Sequence, residues 1–149
     1  MSALPAVSDL LPHGPEALCL DKVVLYVPGE RAAARLRVRP ELLLYDESLG
    51  GIPAWAGVEI MAQALGVYVG MDARDEGLGP RVGYLIGVRH FHAARPLIEN
   101  GLELLVEAEC RYSEPYGLGR FDCRILADDE ELARANLTVW RPPPQEAAA

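Results

Sequence analysis

One carboxylate stands out in this chain. From Ala54 to Met71 the only ionisable side chains are Glu59 and Tyr68, within the segment that starts Pro53-Ala54-Trp55-Ala56-Gly57-Val58-Glu59-Ile60-Met61-Ala62-Gln63. A helix apolar on every side is a buried helix. A carboxylate inside it is expected to be costly unless paired or protonated, and so to be a group able to give or take a proton near neutral pH. Gln63 lies one turn on from Glu59 and is expected to orient it. The plainer alternative is that the two simply satisfy each other inside a core. Glu59, Ala62, Gln63, Gly66 and Gly70 fall on one helix face, whose small residues leave room for a ligand or for a partner's backbone.

A second candidate for proton transfer is His13. It is one of three histidines, and Pro12 and Pro15 stiffen the chain around it. It could also be a loop histidine bonded to backbone. His90 and His92 are spaced to share a strand face and could pair on a metal, but no third ligand is evident. Tyr45, Asp46 and Ser48 lie in a loop before the helix and could line a site. Trp55 is expected in the core or in the wall of a substrate tunnel.

These groups need elements to hold them. The chain has 149 residues, half of them hydrophobic, which suits one domain with a full core. Its net charge of -8 argues against nucleic acid or an anionic membrane as the main partner. Any acidic partner would need a local basic patch, for which Arg81 to Arg95 is the candidate; the alternative is a solvated strand face. Cys19, Cys110 and Cys123 follow no metal or redox spacing and are expected to be small core hydrophobes in a reducing compartment. No signal peptide and no membrane-spanning run is read, so a cytoplasmic location is expected.

Along the chain, Ser8-Asp9 could cap a short helix, and Cys19–Val27 and Arg31–Arg39 read as strands around a Pro28-Gly29 turn. A loop over Pro40–Ile52 follows. Pro53 suits the first turn of the apolar helix, and Gly77-Leu78-Gly79-Pro80 ends it. Val82–Val88 is a short apolar run. Leu102, Leu104, Val106, Ala108, Cys110 and Tyr112 alternate with polar residues, as do Phe121, Cys123 and Ile125, and then Ala133, Ala135, Leu137 and Val139. Period two predicts strands, and a turn at Asp128-Asp129 joins the last two in a meander. Residues 1–141 form the expected domain, and 142–149 a disordered Pro- and Ala-rich tail. One curved sheet covers one side of the helix, and a second copy of the chain is the economical cover for the rest.

Two motifs resemble the acyl-carrier-protein dehydratase branch of the hotdog-fold proteins. Leu11-Pro12-His13-Gly14-Pro15-Glu16-Ala17-Leu18-Cys19-Leu20-Asp21 is similar to that family's L-P-H-R-x-P-x-L-L-x-D start, with Gly14 in place of the usual Arg. Pro53 to Gln63 resembles its P-G-V-x-x-x-E-x-M-A-Q helix, matching at Pro53, Glu59, Met61, Ala62 and Gln63. The resemblance implies an α+β hotdog fold, a curved antiparallel sheet around one long central helix, with active sites at a dimer interface. It implies dehydration of a 3-hydroxyacyl thioester, held on the phosphopantetheine of acyl carrier protein, to a trans-2-enoyl thioester in fatty-acid, polyketide or polyene-type biosynthesis. Glu59 would be the acidic catalytic residue, and no cofactor or metal is implied.

The usual members carry a catalytic His in an H-F-P loop before the helix. That position falls near Tyr45, and no His lies between His13 and His90. The chain is thus similar to the divergent, aryl-polyene-type branch, with His13 as the natural substitute. Either His13 or Glu59 could be the base. Free N–H groups at Ala54 and Trp55 could polarise the thioester carbonyl, and Ala54, Trp55, Gln63 and Tyr45 are the expected substrate-binding residues. The rival readings are a hotdog thioesterase and a non-catalytic subunit that binds acyl carrier protein.

Overall fold

The computed structural model describes residues 4–79 and 83–143. A short helix α1 (Val7–Leu10) and a 3-10 turn (Pro15–Ala17) precede β1 (Lys22–Val27) and β2 (Arg31–Arg37). After a long loop come β3 (Gly51–Pro53), a 3-10 turn (Ala54–Ala56) and the long helix α2 (Gly57–Asp75). Then follow β4 (Tyr84–Ala93), β5 (Leu97–Glu99), β6 (Glu103–Ser113), β7 (Gly117–Ala127) and β8 (Glu130–Arg141). Six strands form one antiparallel sheet in the order β1-β2-β6-β7-β8-β4, and β3 pairs with β5 in a small ladder.

The sheet's inner face is set by the period-two pattern. Leu104, Val106 and Ala108 of β6, Phe121, Cys123 and Ile125 of β7, and Ala133, Ala135, Leu137 and Val139 of β8 are all buried. Ala32, Ala34 and Leu36 of β2 join them. Against this face α2 lays Ile60, Met61, Ala64, Val67 and Tyr68, and the Tyr68 ring meets Phe121 edge to face at 5.3 Å. The helix ends because Gly77 adopts φ +76° and donates its N–H to the Arg74 carbonyl, while Leu78 N–H reaches that of Ala73. Glycine takes that left-handed conformation without the Cβ penalty.

Several expectations are refined. Ser8 and Asp9 lie inside α1 rather than capping it, and β1 begins at Lys22, not Cys19. Pro53 ends β3, so α2 starts four residues later, at Gly57. Within the run Val82–Val88, residues 84–88 open a longer strand, β4 (Tyr84–Ala93). Cys19 and Cys123 are buried while Cys110 is only partly so; all three are free thiols. Pro80, Arg81, Val82 and residues 144–149 of the expected tail lie outside the described residues.

The chain itself also helps to cover the helix. Leu10 and Leu11 of the amino-terminal segment pack against Gly70 and Gly66, on a side that the sheet leaves open. Exposed apolar side chains also cluster along the edge strand β4, at Tyr84, Leu85, Ile86, Val88 and Phe91.

Candidate functional site

The amino-terminal segment brings His13 to α2. Its Nε2 lies 3.6 Å from Oε1 of Glu59. The two motifs, far apart in sequence, therefore meet at one point. Glu59 Oε1 also accepts a hydrogen bond from Gln63 Nε2 at 3.1 Å. That nitrogen donates to the Ala17 carbonyl as well, at 2.8 Å, and Gln63 Oε1 accepts from Cys19 N–H at 3.0 Å. Because Cys19 N–H requires an acceptor, the Gln63 amide group has one orientation, with its NH2 turned to Glu59. Gln63 is 1% exposed and fully engaged, so it acts as a clamp between strand lead and helix.

Glu59 itself is not buried. Its side chain is 45% exposed and that of His13 33%. The expectation of a carboxylate desolvated inside a core is corrected: Glu59 lies with the half-buried Ala62 on a stripe of α2 that the sheet does not close and that the amino-terminal segment covers only further along, at Gly66 and Gly70. The stripe borders a cavity of about 180 Å3 that begins at His13, Glu59 and Gln63. Away from those three, its walls are the apolar groups of Leu11, Leu65, Val69, Leu85 and Val139. On its other side Glu59 meets a second hollow, walled by Leu43, Leu44 and Cys19. Burial, with a further push from the Glu59 charge, raises the Cys19 thiol to about 12, so it stays protonated and is no nucleophile.

The other sequence candidates do not join this pair. Ala54 N–H donates to the Pro96 carbonyl at 2.9 Å and is not free to polarise a substrate. Trp55 is 74% exposed, in neither core nor tunnel. Tyr45 lines neither hollow; its loop neighbours Leu43 and Leu44 do, and sequence reasoning missed them because nothing polar marks them. Asp46 turns that loop: its carboxylate accepts from Ser48, whose hydroxyl bond holds the Asp46 carboxyl below its ordinary range. His90 and His92 lie across the sheet among Glu107, Arg124 and Arg134. His90 has φ +54° at a bulge, and no group of metal ligands forms among the described residues.

Comparison with known proteins bears on this pair. The profile of the ApeP-like family, described as ApeP dehydratase, matches residues 5–149. The chain belongs to the ApeP-like dehydratase family. Curated relatives of this family member include the 3-hydroxyacyl-[acyl-carrier-protein] dehydratase FabZ of Anaeromyxobacter sp. (strain K), 28% identical over 134 residues, 85% of this chain and 86% of the relative. FabZ of Bordetella petrii is 30% identical over 142 residues, covering 90% and 91%. Among solved structures, the dehydratase heterocomplex ApeI:P from Xenorhabdus doucetiae aligns with a TM-score of 0.86 at 22% identity, covering 95% of this chain and 93% of that one. A homologue of HP0420 from Helicobacter felis aligns at 0.68 and 14%, covering 98% and 96%. These neighbours establish the hotdog fold of this ApeP-like chain. No helix among the described residues is long and apolar enough to cross a membrane.

Proposed function

We propose that this ApeP-like chain dehydrates a 3-hydroxyacyl thioester on acyl carrier protein, giving the trans-2-enoyl thioester. The observation that carries the reading is the His13–Glu59 pair at 3.6 Å beside an apolar cavity. The names of the FabZ relatives support the substrate class, and the ApeP dehydratase description of the matching family supports the type of reaction. His13 takes the Cα proton, the electron pair of that bond forms the new C=C, and Glu59, protonated, delivers its proton to the departing β-hydroxyl as water. The reverse assignment uses the same two groups. Ala54 N–H, engaged with the Pro96 carbonyl, is not one of the donors that polarise the thioester carbonyl in this reading. No step calls for a metal or cofactor.

The test is incubation with a 3-hydroxyacyl carrier protein and mass detection of the acyl group. Loss of one water is the expected result. Release of a free acid would indicate a thioesterase, and an unchanged acyl group a subunit that binds carrier without chemistry.

A dimer of hotdog chains completes this reading, with a copy of this chain as the partner. The support is β4, which among the described residues pairs only with β8 and so ends the sheet, with Tyr84, Leu85, Ile86 and Val88 exposed along it. Such an edge is a template for pairing. Sedimentation at micromolar concentration should show a dimer. A stable monomer would refute the homodimer, and one that associates only with a second dehydratase-type chain would match the heterocomplex of the Xenorhabdus relative instead.

A further inference from the structure

His13 is held near Glu59 by packing that starts elsewhere on α2. A Cβ placed on Gly70 would lie 2.7 Å from the carbonyl oxygen of Leu10 and 3.2 Å from its Cα. One on Gly66 would lie 2.6 Å from Cδ2 of Leu11. Gly66 and Gly70 are one helical turn apart on the same face, so together they form a seat for two consecutive residues. Glycine inside a helix is disfavoured relative to alanine, which makes a pair of them at this spacing a sign of steric need. The seated residues are fixed in turn. Leu10 and Leu11 are 2% and 4% exposed, and Leu11 N–H donates to the Val7 carbonyl. Pro12, with its φ locked by its ring, then joins Leu11 to His13.

The two contacts differ in kind. At Gly70 the obstacle is backbone, which can yield only if the whole segment moves. At Gly66 it is the end of a flexible side chain.

We propose that Gly70, seconded by Gly66, is a positioning residue that sets the His13–Glu59 separation. The kinetic arm of the test rests on the dehydratase reading; the spectroscopic arm does not. In the full chain, Gly70→Ala should lower kcat about 100-fold with KM changed only a few-fold, the scale of loss from a displacement of about 1 Å in a reacting group. Independently, the imidazole NMR signals of His13 should respond to Glu59→Gln in the wild-type background and cease to respond in the Gly70→Ala background. Gly66→Ala should weaken that response, and Leu11→Ala added to it should restore it by removing the clashing Cδ2.

Retention of the His13 response in Gly70→Ala overturns the proposal whatever the rate. Loss of the response with wild-type turnover supports the positioning and sinks the assignment of His13 to the chemistry. If Gly70→Ala does not fold, the other pair decides: restoration of the response in the double variant supports the seat, and a wild-type response in Gly66→Ala overturns it.

Discussion

Glu59→Gln should lower the rate of dehydration by at least about 100-fold, at the low end of what removing a positioned acid or base costs. The amide keeps the shape of the side chain and can still accept from Gln63 Nε2, which lies 3.1 Å from Oε1. What it loses is the ability to hold a proton in one step and release it in the next. The structure also says that the fold should tolerate the change. Glu59 is 45% exposed along its side chain, so the substitution neither opens a cavity nor strands a buried charge. Stability should stay within about 0.5 kcal/mol, as for substitutions at open surface positions. Loss of turnover at unchanged melting temperature is therefore the expected pair of results. Wild-type turnover would show that the carboxylate only completes the hydrogen-bond set of Gln63.

What was legible beforehand followed from local patterns. The alternation in Leu104, Val106 and Ala108, and again in Phe121, Cys123 and Ile125, reports one buried face, and those residues line the inner side of the sheet. The apolar run after Pro53 gave the helix because no solvated face interrupts it. β4 was read short because it is an edge strand whose apolar side chains Tyr84, Leu85, Ile86 and Val88 are all exposed, and bulges at Leu85/Gly87 and Arg89/His92 break its period. The state of Ala54 N–H depends on a carbonyl 42 residues away, that of Pro96, which no local pattern encodes. Gly66 and Gly70 were visible as small residues, but whether ligand, partner or the chain's own lead would fill the space depends on how the first residues fold back. The meeting of His13 with Glu59 came from the resemblance of two motifs and not from spacing. Once seen, it has a physical agent in Gln63, whose side chain ties Ala17 and Cys19, just downstream of His13, to the helix that carries Glu59.

His13→Ala should also abolish most turnover, by about 100-fold or more if the imidazole is one of the two proton carriers. The loop that holds a histidine in the usual dehydratases has none here, and Tyr45, the nearest substitute, borders neither hollow at Glu59. The 3.6 Å gap from His13 Nε2 to Glu59 Oε1 is longer than a hydrogen bond, as catalytic contacts in substrate-free sites often are before bound substrate tightens them. Truncation at this position should leave the segment in place, since Leu10 and Leu11 are seated against α2 and His13 is itself a third exposed. The melting temperature should thus hardly move, and circular dichroism should match the wild type. The two variants also separate the rival readings. If both Glu59→Gln and His13→Ala lose dehydration but still bind acyl carrier protein, the pair acts on the substrate and not on the carrier. If His13→Ala turns over like the wild type while Glu59→Gln does not, the carboxylate works without the imidazole, and His13 is only the end of a well-packed lead.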